Sequence, residues 1–480
     1  MNQNNEFKRS LGFIDATNVV IGSMIGSGIF LVSCESARII NSPGLLLICW
    51  LIVGVATVFA ALSYGELAGM MPFAGGQYVY LKEIYGKLSA FLYGWTLFTV
   101  MHSGTIAAVA IAFAKYTGAI FPVISSSNWI FKFSIHEKFT TGLNTENLLG
   151  ISVIIFLTWI NTRGINTGKI IQNIFTFTKF FSIIFLIIVS LTIGINHQAV
   201  ALNLSHFWDL PKDLNSFWNI SIVGLICISM IGPLFSSGAW DTITYISSEI
   251  KNPKKNIPLS LFIGASVVIA LYFLLNIAYL CVLPLQGSPN GINEFERGIQ
   301  YATNDRIGAA AASSIFGGMG TIIMAVLIMI STFGCNNGII LSTARVYYAM
   351  AQDNLFFKKA GELNKHHVPS NALIFQCIWS CILCISGTYS NLLDYVVSAW
   401  LVFYTVTIFG IFILRKKLPN AERPYKVIGY PLIPVIYILF TLTVLICIFI
   451  MKPHYTWSSL IILLMGVPIY FFWNRNNLKK

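Results

Sequence analysis

A chain of 480 residues is long enough for two or three soluble domains, but 56% of the residues are hydrophobic and only 10% are charged. This balance excludes an ordinary soluble protein. Apolar stretches of about 20 residues, the length that crosses a bilayer, recur along nearly the whole chain. The formal net charge of +12 is distributed between these stretches, so the sequence predicts an integral membrane protein with no nucleic-acid partner.

Apolar runs between charged, glycine and proline breaks predict about twelve transmembrane helices. Their approximate ranges are 11–38, 43–70, 88–116, 147–161, 167–194, 219–248, 258–284, 312–350, 371–388, 391–415, 430–451 and 456–473. We expect one all-α transmembrane domain over residues 1–480. Helices 1 to 5 (about 11–194) form one repeat, helices 6 to 10 (about 219–415) form a second, and two extra helices (about 430–473) follow.

Lysine and arginine are unevenly distributed between the two sides of the predicted membrane domain. If the amino terminus is cytoplasmic, the inside segments hold 21 of the 30 basic residues and the outside segments hold eight. This bias follows the positive-inside rule and predicts a multi-pass protein of the cell (inner) membrane with both termini in the cytoplasm. The basic charge then faces anionic lipid.

Predicted helices 1 and 6 carry glycine and serine at mid-membrane depth, in Gly22-Ser-Met-Ile-Gly-Ser-Gly-Ile29 and Gly232-Pro-Leu-Phe-Ser-Ser-Gly-Ala-Trp240. These residues weaken a helix and free backbone groups that lipid cannot satisfy. We therefore expect both helices to be discontinuous around a polar occupant. Matched breaks five helices apart indicate a transporter with an inverted repeat and a midplane site. The alternative is that the glycines only allow close helix packing.

Four longer motifs follow one another along the chain. They are Ile21-Gly-Ser-Met-Ile-Gly-Ser-Gly-Ile-Phe30, Ser63-Tyr-Gly-Glu-Leu-Ala-Gly-Met-Met-Pro-Phe-Ala-Gly-Gly-Gln-Tyr-Val-Tyr80, Trp240-Asp241 with Glu249-Ile-Lys-Asn-Pro-Lys-Lys-Asn-Ile-Pro258, and Arg415-Lys-Lys-Leu-Pro-Asn-Ala-Glu-Arg-Pro-Tyr425 with Gly429-Tyr-Pro431. Over roughly residues 11 to 470, the chain resembles the L-type amino acid transporter (LAT) family of the amino acid-polyamine-organocation superfamily.

The resemblance implies a five-plus-five inverted repeat with two extra helices and alternating access around an occluded neutral L-amino acid. Free N–H groups where the second half of helix 1 begins can hold the substrate carboxylate, as helix N-termini hold other anions. The carbonyl ends at both breaks can take the ammonium. In similar transporters an aromatic residue of helix 6 closes over the substrate, and a helix 10 position borders its side chain. The implied binding residues are Ile25, Gly26, Ser27, Gly28, Phe235, Ser236, Ser237, Gly238 and Trp400.

Lys179 lies about a dozen residues into predicted helix 5. A lysine away from the interface costs about 2.5 kcal/mol or more, so we expect it to face a polar cavity. In sodium-independent relatives, a lysine at the matching place projects toward the helix 1 break and the helix 8 hydroxyls, here Ser331 and Thr332, and occupies the sodium position. The resemblance therefore predicts transport without sodium. The alternatives are that Lys179 snorkels to the interface or carries a coupling proton.

Two more polar residues have alternative interpretations. Asp241 follows the helix 6 break and either lines a pathway, with a gating role, or caps the second half of helix 6. It is also the nearby acidic group that a cationic amino acid or polyamine carrier would need. His102 stands in helix 3 where similar bacterial sequences often have a neutral amide, and it is either a core histidine or a source of pH sensitivity.

The sequence lacks the short motifs of a membrane enzyme, including HExxH, GxSxG and a phosphate loop. It predicts no cofactor and no metal site, and the expected partners are amino acid substrates and membrane lipid. Mammalian relatives bond to a glycoprotein through a cysteine between helices 3 and 4. Residues 117–146 contain no cysteine, so no disulfide-linked heavy chain is expected. A proton-coupled symporter, or a nutrient sensor or channel on the same fold, is an alternative function.

Overall fold

The computed structural model describes residues 9–136, 139–209, 220–386 and 389–478. Eight of the helices in these ranges are long and apolar enough to cross a membrane. They are Pro43–Met70, Lys87–Thr117, Asn173–Thr192, Pro253–Val282, Gly318–Gln352, Leu392–Lys417, Leu432–Met451 and Thr456–Trp473. Shorter apolar helices cover Phe13–Met24, Thr145–Asn161, Ile222–Ser236, Ile307–Phe316 and Ser370–Ile385. The expected multi-pass helical architecture is confirmed at this level of detail.

The first apolar segment is two helices rather than one. Helix α1 covers Phe13–Met24, a 3₁₀ turn covers Gly28–Phe30, and α2 covers Val32–Ile40. Ile25 leaves the helical region with ψ 93°. The expected break in helix 1 is therefore present in the backbone. Helix α3 (Pro43–Met70) follows and begins with a proline, which is favoured at the first helical position because its missing N–H needs no partner there.

The next part of the chain contains the main departure from an all-α fold. Helices α4 (Gln77–Tyr85), α5 (Lys87–Thr96) and α6 (His102–Thr117) are followed by an antiparallel hairpin of β1 (Trp129–His136) and β2 (Phe139–Asn144). A π-helical turn, Leu97–Met101, joins α5 to α6. The sequence analysis did not predict this hairpin, although the alternation in Trp129-Ile-Phe-Lys-Phe-Ser-Ile-His136 has the period of two of a strand. The rest of the described chain is helical, as the all-α prediction requires.

Helices α7 (Thr145–Asn161), α8 (Ile165–Thr192) and α9 (His197–Ser205) lead to the sixth apolar segment. This segment consists of α10 (Ile220–Ser229), α11 (Ile231–Ser236), the single turn α12 (Thr242–Tyr245) and a 3₁₀ turn over Ser247–Glu249. The helix stops between α11 and α12, where Ala239 adopts φ +61°, a value rare for a residue with a side chain. The expected discontinuity in helix 6 is present.

The remaining helices are α13 (Pro253–Val282), α14 (Glu294–Arg297), α15 (Ile307–Phe316), α16 (Gly318–Gln352), α17 (Ser370–Ser386), α18 (Tyr389–Lys417), α19 (Leu432–Met451) and α20 (Pro453–Leu478). The predicted helix over 312–350 was wrong at its start, because Gly317 with φ +63° separates α15 from α16. Only glycine adopts such a backbone readily within an apolar run. Of the single domain predicted over residues 1–480, residues 1–8, 137–138, 210–219, 387–388 and 479–480 lie outside the described ranges.

The first break lies inside the bundle rather than toward lipid. Helix α1 packs against α8, α13 and α16, while α11 packs against α2, α3 and α18. Residues 25–30 are buried. Backbone groups that α1 leaves unbonded at its end therefore have only protein, or a bound molecule, as partners.

Candidate functional site

The breaks of the first and sixth segments contact each other directly. A Cβ atom on Gly28 would lie 2.2 Å from Ser236 Oγ and 2.9 Å from Ser236 Cα. Only glycine allows this approach, because any side chain would overlap the neighbouring backbone. The two interrupted segments thus form one buried junction.

Lys179 of α8 caps the carbonyl end of α1 at this junction. Its ammonium donates hydrogen bonds to the carbonyl oxygens of Gly22 and Ile25, the second at 3.0 Å. The Lys179 side chain is fully buried, so it does not snorkel to an interface. Ser331 of α16 donates to the same Ile25 oxygen at 3.3 Å. Thr332 instead donates to carbonyl oxygens of its own helix.

Two further side chains bind the α1 carbonyl end, and sequence reasoning missed both. The hydroxyl of Tyr272 on α13 donates to Met24 O at 2.8 Å, and the thiol of Cys335 on α16 contacts Ser23 O at 3.1 Å. Cys335 follows Ser331 by four residues, so both lie on one helical face. That spacing could have indicated from the sequence that Cys335 faces α1. Nothing in the sequence around Tyr272 indicated its contact with α1.

The second half of the first segment begins with amide groups that have no protein acceptor. Within the described residues, the N–H groups of Gly26 and Gly28 have no hydrogen-bond partner. Just beyond them, Tyr116 donates to Phe30 O at 2.7 Å and fixes the start of α2. Unpaired N–H groups at a helix start form an anion-binding site.

Aromatic rings enclose the other side of the junction. The ring of Phe235 stacks on Trp400 of α18 at 6.0 Å and 14°. A Cβ atom on Gly238 would lie 2.2 Å from the Trp400 ring. Among the described residues, the buried polar atoms Ser23 Oγ, Ser237 Oγ and Trp400 Nε1 have no hydrogen-bond partner. Such groups are costly unless a polar molecule binds them.

Asp241 does not cap α12. Its carboxylate is 1% exposed and accepts hydrogen bonds from Tyr245 at 2.6 Å and from Tyr404 at 3.1 Å. His102 is also buried and lies 3.4 Å from the Tyr245 hydroxyl and 2.8 Å from the Thr343 hydroxyl. The capping interpretation was wrong, because the Asp241 side chain accepts no hydrogen bond from an α12 N–H group and accepts from two tyrosine hydroxyls instead.

The structure therefore brings most of the predicted site residues together. The first break contacts the end of α11 and accepts hydrogen bonds from Lys179 and Ser331. Trp400 lies beside this junction, where it contacts Phe235 and Gly238. Thr332 and Asp241 belong to neighbouring hydrogen-bond networks. No cluster of metal ligands occurs among the residues that the structure describes.

Two interrupted helices that meet inside a bundle of apolar helices are the arrangement of a multi-pass membrane transporter. The chain belongs to the amino acid permease family, whose sequence model matches residues 11–471. The resemblance seen in the four motifs is confirmed.

Named relatives agree with this family. The chain is 28% identical over 468 residues to the human large neutral amino acids transporter small subunit 2, which covers 97% of this chain and 80% of the relative. It is 29% identical over 472 residues to the human Asc-type amino acid transporter 1, covering 97% and 83%. It is 28% identical over 469 residues to the mouse b(0,+)-type amino acid transporter 1, covering 97% and 88%. The name of the first of these relatives describes that protein as a small subunit.

Proposed function

We propose that the protein moves neutral L-amino acids across the cell membrane without sodium, as an exchanger or facilitator that works by alternating access. The observation that carries the proposal is the buried junction between the two broken segments. A zwitterion has the charges that this junction can bind, and the names of the relatives include transporters of large neutral amino acids.

The carboxylate of the substrate binds the free N–H groups of Gly26 and Gly28, because unpaired amides at the start of a helical segment carry partial positive charge. Its ammonium binds the carbonyl ends of α1 and α11. The α1 carbonyls already accept from protein side chains, but each carbonyl oxygen has a second lone pair. The substrate side chain packs against Phe235 and Trp400, which are stacked beside the break.

Lys179 supports the absence of sodium coupling. Its ammonium lies on the Gly22 and Ile25 carbonyls, where a coupling cation would need oxygen ligands. A sodium ion would have to take the position of the Lys179 ammonium itself, whereas the substrate ammonium needs only one free lone pair of a carbonyl oxygen.

We also propose twelve transmembrane spans in a single domain over residues 1–480. The two repeats cover about 11–194 and 219–415, and the extra spans cover about 430–473. The order of the helices and the distribution of basic residues support this arrangement in the inner membrane, with both termini in the cytoplasm. Because residues 117–146 lack cysteine, a heavy chain would not be held by a disulfide in that loop.

A cationic amino acid or polyamine carrier has less support. Asp241 is the acidic group nearest the break, and both of its oxygens already accept from tyrosines. Proton coupling has a specific observation in its favour, which is the contact of this carboxylate network with His102.

Counterflow in proteoliposomes tests the proposed function. Purified full-length protein is reconstituted with one unlabelled amino acid inside, and entry of labelled amino acids is measured with sodium and with sodium replaced by choline. We expect accumulation of large neutral L-amino acids at the same rate in both media. A channel would show no counterflow, a sensor would move nothing, and loss of counterflow in choline would contradict sodium independence.

A further inference from the structure

A buried chain of polar side chains runs through the bundle beside the proposed substrate site. It links Asp241, which precedes α12, to Tyr245 of α12, His102 of α6 and Thr343 of α16. All four side chains are at most 1% exposed. Tyr404 of α18 contacts the second carboxylate oxygen of Asp241 at 3.1 Å.

No positive charge compensates Asp241, which forms no ion pair in the part of the chain that the structure describes. Within the described ranges, the titratable groups that interact with its charge are tyrosines, one from each of six helices: Tyr64, Tyr80, Tyr93, Tyr245, Tyr404 and Tyr437. Tyr245 is also the titratable neighbour of His102. On α16, Arg345 is paired with Glu249. A buried carboxylate without a cation is costly, and a bound proton would remove its charge.

Counting hydrogens shows where such a proton fits. Four contacts join these groups in line: Ile339 O to Thr343, Thr343 to His102 Nδ1, His102 Nε2 to Tyr245, and Tyr245 to Asp241. Thr343, neutral His102 and Tyr245 supply one hydrogen each, so three hydrogens serve four contacts. One added proton lets both imidazole nitrogens donate and completes the chain.

We propose that His102, Tyr245 and Asp241 form a binding site for one solvent proton, and that its occupancy controls the helix 6 break during transport. The proton adds to His102 Nε2. Tyr245 can pass its hydroxyl hydrogen to Asp241 while it receives one from His102. Only N–H and O–H bonds form or break, and the net charge of the group changes from −1 to zero.

The location of this site explains how a proton affects the substrate. Asp241 is two residues after Ala239, where the backbone of the sixth segment leaves the helical region. The His102 ring lies 6.2 Å from the Trp400 ring, which stacks on Phe235. A change of charge between α6 and α12 therefore acts on the residues that cover the break. This inference rests on the proposed function for its link to transport.

The test measures amino acid counterflow as a function of pH in proteoliposomes with equal pH on both sides. In the wild-type protein we expect the rate to change by up to about tenfold per pH unit across a single titration. Asp241→Asn and His102→Gln keep hydrogen-bonding groups but cannot titrate there, so their rates should not follow this titration. Tyr404→Phe is the matched control, because it removes a hydrogen bond to the same carboxylate without touching His102. It should keep the pH dependence. A wild-type pH profile in Asp241→Asn overturns the proposal.

Infrared difference spectroscopy tests the proton site without transport. Spectra of the reconstituted protein at the two ends of the titration should differ by a carboxylic acid carbonyl band that is absent in Asp241→Asn and shifted in Tyr245→Phe. If this band is present but no amino acid shows counterflow at any pH, the proposed function fails and the proton site stands. If counterflow is normal and independent of pH and the band is absent, the proton site fails and the proposed function stands.

Discussion

At the scale of single residues, Lys179 places a positive charge on the carbonyl end of a helix inside the membrane. Its ammonium binds the oxygens of Gly22 and Ile25, and a hydrogen bond from a charged donor contributes about 1.5–3 kcal/mol. The charge also interacts favourably with the negative end of the α1 dipole. Lys179 therefore fixes the shape of the first break without any acidic partner among the described residues.

Lys179→Met is expected to reduce counterflow at least tenfold while the protein remains folded. Methionine keeps an unbranched apolar side chain but cannot donate to the α1 carbonyls, so the break loses its fixed cation. Counterflow and size-exclusion elution of the purified variant are measured together. A wild-type rate in this variant would remove Lys179 from the mechanism.

Gly28→Ala is expected to abolish transport, because its Cβ atom would lie 2.9 Å from Ser236 Cα and would separate the two breaks. Gly318→Ala is the matched control, since a Cβ atom there meets nothing within 4 Å. The readout is counterflow normalised to the amount of reconstituted protein. Equal rates for both variants would show that the close approach at Gly28 is not required.

At the scale of elements, the end of the sixth segment is attached to α16 by a buried ion pair. Arg345 lies 3.0 Å from Glu249, and the two side chains are 0% and 2% exposed. The backbone of Glu249 also accepts from the N–H groups of Ser10 and Leu11. The chain before α1, the turn after α12 and the helix α16 therefore meet at one buried point.

Glu249→Ala should destabilise the protein by about 3–5 kcal/mol, because it leaves the Arg345 charge buried without its carboxylate. Glu422→Ala breaks an exposed pair with Lys254 and should cost at most about 1 kcal/mol. Thermal unfolding in detergent compares the two variants. A similar shift of the melting temperature in both would contradict a structural role for the buried pair.

The sequence predicted the helix breaks correctly because residue types within each segment indicate them. Glycine and serine in the first and sixth segments indicated the breaks, because several of them close together at mid-membrane depth weaken a helix and free backbone groups that lipid cannot satisfy. The sequence analysis missed the strands β1 and β2, and it predicted α15 and α16 as one helix. An apolar run across Gly317 reads as one helix until the backbone is seen to turn there.

At the scale of the whole molecule, the orientation in the membrane is open to a direct test. Ile292, in the loop after α13, is 90% exposed and is expected outside, whereas Glu422, in the loop after α18, is expected inside. Single cysteines are introduced at these positions in a variant with the nine native cysteines replaced. A membrane-impermeant maleimide applied to intact cells should label position 292 and not position 422 until the membrane is opened. The reverse pattern would invert the predicted topology.

The sequence by itself determined that the protein lies in a membrane, that it is built of many apolar helices, where two of them break, and its family, because each depends on composition, spacing or motif within one stretch of chain. Tertiary structure decided which groups those breaks meet. Ser331 and Cys335 face α1 while Thr332 bonds its own helix, and Asp241 turns toward Tyr245 and Tyr404. Most of these hydrogen-bond partners lie more than a hundred residues apart in the chain. The angles at which the helices pack bring them together, and no local stretch of sequence indicates those angles.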